Sequence, residues 1–254
     1  MKPMCCTENP IPAQRKEEPM EQELMEIQEN EPMPFSCTPS VSCFTECCHD
    51  LNQVLTPYDV LRLKTHLNLS SSEFLSQYTI RFTGPETGLP LVGLKPVAEK
   101  RFACPFLAED GCTVYADRPS SCRSYPLIRM ASRSRQTGEI TVRYAFFREP
   151  HCRGWESPEK RVSVAEWLED QGLEPYNVMN DRVLELIAAV NRLKPRTLSS
   201  IERDDIYTAL YDTDTFLEKH KAMGKGVSND NTSSHDSVLD IGLQWALERI
   251  RSLS

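Results

Sequence analysis

Cysteines are the residues of this chain with the clearest capacity for chemistry. Ten occur among 254 residues, and eight of them form the series C-x5-C-x3-C-C, then C-x7-C-x9-C, then one cysteine 30 residues later. Thiolates bind zinc and iron–sulfur clusters, and a tetrahedral site takes four of them. Eight thiols therefore predict two complete metal sites or one polynuclear cluster. The predicted ligands are Cys37, Cys43, Cys47, Cys48, Cys104, Cys112, Cys122 and Cys152.

Two of these cysteines, Cys47 and Cys48, are neighbours in the chain. Adjacent side chains in an extended segment point to opposite sides, so we expect the pair to serve two neighbouring sites. A single free cysteine is most often a buried structural residue, but eight in loops that contain proline and glycine favour metal ligation. His49 and His151 adjoin candidate ligands and are the alternatives to them.

The spacing does not choose between zinc and iron. The C-x2-C knuckle of structural zinc sites is absent, and so is the C-x2-C-x2-C run of ferredoxins. Zinc, iron and an iron–sulfur cluster are therefore all candidate cofactors. The chain has no phosphate-binding loop, nucleotide fingerprint or Ser/His/Asp arrangement, so the sequence assigns no catalytic residue and no organic cofactor.

The composition excludes several other classes of protein. Net charge is -8, mean hydropathy is -0.46, and no 18-residue apolar run could span a membrane. Residues 33–221 are nearly neutral, with 23 basic and 25 acidic side chains, which argues against a nucleic-acid partner. The N-terminus lacks the features of a secretory signal. We therefore expect a cytoplasmic protein whose reduced thiols bind metal.

Composition also divides the chain into four segments. Residues 1–32 carry eight glutamates, three basic residues and five prolines, and predict a disordered acidic tail because they have little apolar surface to bury. Residues 33–221 are predicted to form the Cys-cluster metal-binding domain, and residues 222–237 a polar linker. Residues 238–254 are predicted to form an amphipathic C-terminal helix, with Leu239, Leu243, Leu247 and Ile250 on one face.

Caps and periodicity predict the helices that must position the cysteines. Helix starts are expected at Thr56, Ser70 and Ser163, each followed three residues later by an acid. A later helix ends before Pro195. Its apolar stripe is Val178, Val183, Leu186, Ile187, Val190 and Leu193.

Residues 91–147 have a sequence pattern typical of strands and turns rather than helices. Short β-prone runs at 91–94, 101–106, 113–115 and 140–147 alternate with turn signals such as Thr137-Gly138. We therefore predict an α+β fold, with a predominantly helical body around a small β-hairpin or sheet region that carries the Cys-rich metal-binding cluster.

Seven arginines and a single acid, Glu139, occur in residues 118–148. In one interpretation, most of these arginines form the solvated rim of a hairpin. Arg118 and Arg123, together with Arg101, would then compensate the negative charge of the thiolates. The other is an anion site for phosphate, nucleic acid or an acidic partner.

With these motifs, the chain resembles the YkgJ-type cysteine cluster proteins, a family of zinc- or iron-chelating domains. The resemblance runs from residue 35 to residue 155 and is carried by the first cysteine block and its LT-x-x-D helix, CPFL, GC-x-x-Y, RP-x-x-CR-x-YP and a late C-x-G. It implies that the same eight cysteines are the chelators. It also implies a structural or site-lining role for Arg118, Pro119, Arg123, Tyr125 and Pro126.

Three functions fit these observations. The first is a metal-binding protein whose cysteine cluster holds zinc or iron in a structural or redox role. The second is a metal-dependent enzyme, because flagellin lysine methylases are similar in their cysteine cluster. The third is an adaptor braced by metal, which would bind a protein partner through the arginine-rich stretch or the C-terminal helix. A membrane partner is not expected.

Overall fold

A computed structural model describes residues 23–156, 161–222 and 235–253 of the chain. These ranges form an α+β fold, as the sequence predicts, with helices predominating over small antiparallel sheets. The helices are α1 Pro57–His66, α2 Ser71–Tyr78, α3 Ser120–Ser124, α4 Val164–Asp170, α5 Glu174–Leu193, α6 Ser200–Leu210, α7 Thr213–Ala222 and α8 His235–Arg251. The strands are β1 Glu23–Ile27, β2 Pro32–Pro34, β3 Val54–Leu55, β4 Thr79–Thr83, β5 Pro90–Leu94, β6 Leu107–Ala108, β7 Gly111–Cys112, β8 Leu127–Arg133, β9 Ile140–Arg148 and β10 Arg161–Ser163.

The three predicted helix starts are confirmed. Thr56, Ser70 and Ser163 are the N-caps of α1, α2 and α4, and each forms a capping box with the acid three residues later. In the first box, the Asp59 N–H donates to the Thr56 hydroxyl over 3.2 Å, and the Thr56 N–H donates to the Asp59 carboxylate over 2.8 Å. These local contacts satisfy N–H groups that a helix start leaves without partners.

The main core lies between the helices and the sheet ordered β3-β5-β4. In the predicted apolar stripe of α5, Leu186, Val190 and Leu193 are buried. Val178 is 56% exposed, because the buried face of the helix starts at Tyr176 and does not include Val178. Helix α8 packs against α5 and α6 and buries three of its four predicted apolar positions, Leu239, Leu243 and Ile250. The apolar face of α8 is thus already covered by the chain itself.

A second sheet has the order β1-β9-β8. Its β8–β9 hairpin turns at Thr137-Gly138, as predicted, and Gly138 adopts a positive φ of 78°. Strand β1 lies inside the range predicted to be a disordered tail, yet it pairs with β9 and buries Ile27 to 6% exposure. Composition could not indicate this strand because its pairing partner lies more than 100 residues away. Residues 1–22 and most of the predicted linker lie outside the described ranges.

Two of the predicted β-runs are not strands. In residues 101–106, consecutive positive φ values of 55° at Arg101 and 51° at Phe102 make a tight turn, closed by a bridge between Val97 and Ala103. In residues 113–115, the chain enters a 3-10 turn at Tyr115. Both segments leave the extended conformation to become loops, and these loops carry or flank cysteines. No helix in the described ranges has the length and apolar content to cross a membrane.

Candidate metal centre

Six of the eight predicted ligands line one cavity of about 1210 Å³. The other two, Cys43 and Cys152, belong to a smaller apolar cluster that includes Phe35 and Leu127. All eight cysteines are free thiols. The cavity-lining cysteines are Cys37, Cys47, Cys48, Cys104, Cys112 and Cys122.

Backbone hydrogen bonds bring the two cysteine groups together. The Cys104 N–H donates to the Cys48 carbonyl over 2.8 Å, while the N–H groups of Asp50 and Leu51 donate to the carbonyls of Arg101 and Phe102 over 3.1 and 3.0 Å. The tight turn at residues 101–102 therefore docks on the loop that follows the first cysteine block. These bonds place the end of the first cysteine block beside Cys104 of the second group.

The remaining cysteines are placed by short elements. Cys112 ends the two-residue strand β7, and Cys122 lies in the single turn of α3. The Arg153 N–H donates to the Cys43 sulfur over 3.0 Å. The Ser36 N–H donates to the Gly154 carbonyl over 2.9 Å, which holds the chain at Cys37 beside the segment that carries Cys152.

The thiols around the cavity fall into two electrostatic groups. Burial raises the pKa of Cys104 to about 11 and also raises the pKa of Cys112 and Cys122. Cys47 adds to all three increases, and Cys112 adds to those of Cys104 and Cys122. Burial raises the pKa of Cys37 as well, with contributions from Cys47, Cys152 and Cys43. Cys47 acts on members of both groups. Each group therefore disfavours thiolate charge unless a cation is present.

Arg118 lines the cavity and acts electrostatically on three of these thiols. Its charge opposes the increase in pKa at Cys37, Cys47 and Cys112. The guanidinium lies 3.9 Å from the centre of the Tyr115 ring and donates to the Gln171 side chain. This placement agrees with the charge compensation expected of Arg118.

Arg101 also lines the cavity, but Arg101 and Arg123 each bond to other groups of the protein. The Arg123 guanidinium donates to the carbonyls of Arg118 and Gln171 over 3.0 and 2.7 Å, and lies 4.8 Å from the centre of the Tyr176 ring. Arg101 pairs with Glu46 at 3.3 Å. These contacts favour a structural role for Arg123 over the expected compensation of thiolate charge. Its side chain connects α3 to the backbone at Arg118 and Gln171.

The other arginines of the predicted stretch are largely paired. Arg129 makes two hydrogen bonds to Asp181 over 2.7 and 2.8 Å, which joins β8 to α5. Arg133 reaches Glu185, one turn further along α5, at 3.5 Å. Arg143 pairs with Glu26 of β1 at 3.0 Å. These contacts favour a structural role for the hairpin arginines over an anion site.

Two histidines and a tyrosine are among the polar residues that line the cavity. His49 and His151 both line the cavity. Nδ1 of His49 is buried without a hydrogen-bond partner among the described residues, whereas His151 lies 3.7 Å from Glu149. Burial raises the pKa of Tyr125, whose hydroxyl faces Cys152 and Glu149. The orphaned nitrogen keeps His49 as an alternative ligand.

The donor set fits zinc or iron. Both metals take thiolates, and eight thiols suffice for two four-coordinate sites. As placed, no three Cys, His, Asp or Glu side chains of the described ranges stand close enough together to hold an ion. Six of the candidate thiols nevertheless share one cavity.

Comparison with known proteins agrees with this region. Residues 36–152 match the CxxCxxCC family, described as a "putative zinc- or iron-chelating domain". No curated protein and no solved structure matches the chain significantly. The matched segment starts one residue before Cys37 and ends at Cys152, so it contains all eight candidate ligands. Residues 36–152 thus match the YkgJ-type cysteine cluster family that the sequence motifs resemble.

Proposed function

We propose that residues 37–152 bind zinc or iron through the eight cysteines and that the bound metal has a structural or redox role. The observation that carries this proposal is the convergence of six thiols, from three separate segments of the chain, on one cavity. Cys43 and Cys152 extend the set into the adjacent apolar cluster. Two neighbouring four-thiolate sites and one polynuclear centre both agree with this arrangement.

Solvent access to the cavity supports a second candidate function. Cys37, Cys47 and Cys122 keep part of their surface exposed to solvent, although surrounding protein atoms desolvate their thiols, whereas structural zinc sites are closed by four protein ligands. An accessible centre is typical of metal-dependent enzymes, which keep one coordination position for water or substrate. When bound, zinc would supply Lewis acidity, and iron or an iron–sulfur cluster would supply one-electron redox chemistry.

Metal analysis after anaerobic purification tests the proposal. We expect stoichiometric zinc or iron, and a brown colour with acid-labile sulfide if the centre is an iron–sulfur cluster. Cys104→Ser should lose metal because it removes a cavity-lining thiol. Cys5→Ser, at a cysteine outside the matched domain, is the control and should keep the wild-type metal content. Equal metal loss from both variants would contradict the proposed ligand set.

Arg118→Gln is expected to weaken metal binding by about tenfold, the order of loss seen when groups that support metal ligands are removed. The guanidinium charge favours the thiolate forms of Cys37, Cys47 and Cys112. Its loss raises their pKa further, so protons compete better with the metal and loading shifts to higher pH. Zinc titration against a competing chelator at several pH values measures the change.

Arg133→Gln is the matched control for this variant. Arg133 is also a partly buried arginine, but it pairs with Glu185 on α5. We expect wild-type zinc affinity and wild-type pH dependence in this control. A loss of affinity in Arg133→Gln together with none in Arg118→Gln would refute the role given to Arg118.

A further inference from the structure

The carboxylate of Asp59 joins two helices. It is completely buried in the first turn of α1, where it accepts a hydrogen bond from the Thr56 N–H over 2.8 Å. It also accepts from the N–H and the hydroxyl of Ser120, over 2.7 and 3.1 Å, at the start of α3. One side chain thus completes the cap of α1 and anchors a segment 61 residues further along the chain.

Helix α3 depends on such an anchor. It has five residues, and its N-cap, Pro119, makes no side-chain cap hydrogen bond. A helix this short does not form by itself, because the first turn costs more conformational entropy than its single hydrogen bond returns. Cys122 lies two residues after Ser120, so the anchor at Ser120 fixes the backbone from which the Cys122 side chain extends. The Cys122 thiol in turn donates to the Gln53 side chain over 3.6 Å.

Other capping boxes show that capping alone does not explain the burial of Asp59. Glu73 and Glu166 cap α2 and α4 through the same kind of contact, and both stay near solvent and bond only to the serine of their own box. Burial of a carboxylate is costly unless hydrogen bonds compensate it. In Asp59, the additional hydrogen bonds are those to Ser120.

We propose that Asp59 is a positioning residue of the metal centre, which fixes the start of α3 and so holds Cys122 for ligation. This inference rests on the proposed function. The alternative is that Asp59 serves only to cap α1. The two roles differ in whether the loss of Asp59 changes the number of thiolates on the metal.

Cobalt(II) binding distinguishes these roles, because the intensity of sulfur-to-cobalt charge-transfer absorbance rises with the number of thiolates bound. Cobalt(II) would be titrated into four metal-free proteins: wild type, Asp59→Asn, Cys122→Ser and Glu73→Gln. Circular dichroism would monitor the helix content of each. We expect Asp59→Asn and Cys122→Ser to show the same reduced intensity per cobalt. Glu73→Gln, a capping variant at a residue that does not line the cavity, should match wild type.

Ser120→Ala is a milder variant that serves if Asp59→Asn does not fold. It removes only the Ser120 hydroxyl and keeps the capping box of α1. We expect lower cobalt affinity with unchanged helix content. Wild-type intensity and affinity in both folded variants, or an equal loss in Glu73→Gln, would overturn the inference. If wild type shows no charge-transfer band, the cysteines do not bind cobalt(II). That result would contradict the proposed function and, with it, this inference.

Discussion

Removal of the metal is expected to loosen residues 37–152 while the helix α5 stays protected. Structural zinc sites contribute folding free energy directly, on the order of 10 kcal/mol in zinc-finger peptides. Within this region, the segments 37–55 and 95–122 that carry the cavity-lining cysteines consist of two-residue strands, single turns and loops, whereas α5 buries its own apolar stripe at Leu186, Val190 and Leu193. Amide hydrogen exchange with and without chelator measures the contrast. The expected result is a large loss of protection in residues 37–152 and a small one in residues 183–193.

The Cys104→Ser variant is the control for the chelator experiment. Because this variant should already lack metal, the chelator should cause little further change in its hydrogen exchange. Equal protection of both regions in wild type, with and without chelator, would show that the cysteine region does not depend on metal.

Gly242→Ala is expected to destabilise the protein by about 3 kcal/mol, near the upper end for an added methyl group in a packed core. A Cβ at this position would lie 2.0 Å from the Ala209 carbonyl oxygen. Because this oxygen belongs to the backbone, the clash can be relieved only if α8 moves away from α6. Separation of the two helices would also expose Leu239 and Leu243. Urea denaturation followed by circular dichroism measures the loss.

A matched glycine substitution separates this clash from a general effect of alanine. Nothing lies within 4 Å of a Cβ at Gly88, although its φ is +72°. Gly88→Ala should therefore cost only about 1 kcal/mol, from backbone strain. An equal loss of stability in the two variants would argue against a close α6–α8 approach at Gly242.

Sequence reasoning succeeded where the determinants are local. The capping boxes at Thr56, Ser70 and Ser163 and the turn at Thr137-Gly138 each depend on residues within a few positions of one another. Periodicity likewise indicated the buried face of α8, since its spacing is a property of one helix. The cysteine count and spacing indicate metal ligation because ligand chemistry depends on residue type, and the eight ligands stay a prediction.

Long-range contacts account for what the sequence did not predict. Strand β1 pairs with β9 across the chain, so the acidic composition around Glu26 gave a misleading indication of disorder. The LT-x-x-D motif indicated a helix cap at Asp59, but its bonds to Ser120 need the folded structure. Arg123 follows Cys122 in sequence, yet its guanidinium points to backbone carbonyls, because adjacency in sequence does not fix side-chain direction.

X-ray absorption at the K edge of the bound metal tests the central claim most directly. The measurement requires anaerobically purified wild-type protein and identifies the atoms that contact the metal. We predict a first shell dominated by sulfur, at about 2.3 Å if the metal is zinc. A first shell of nitrogen and oxygen alone, or a protein that contains neither zinc nor iron, would contradict ligation by the cysteine cluster.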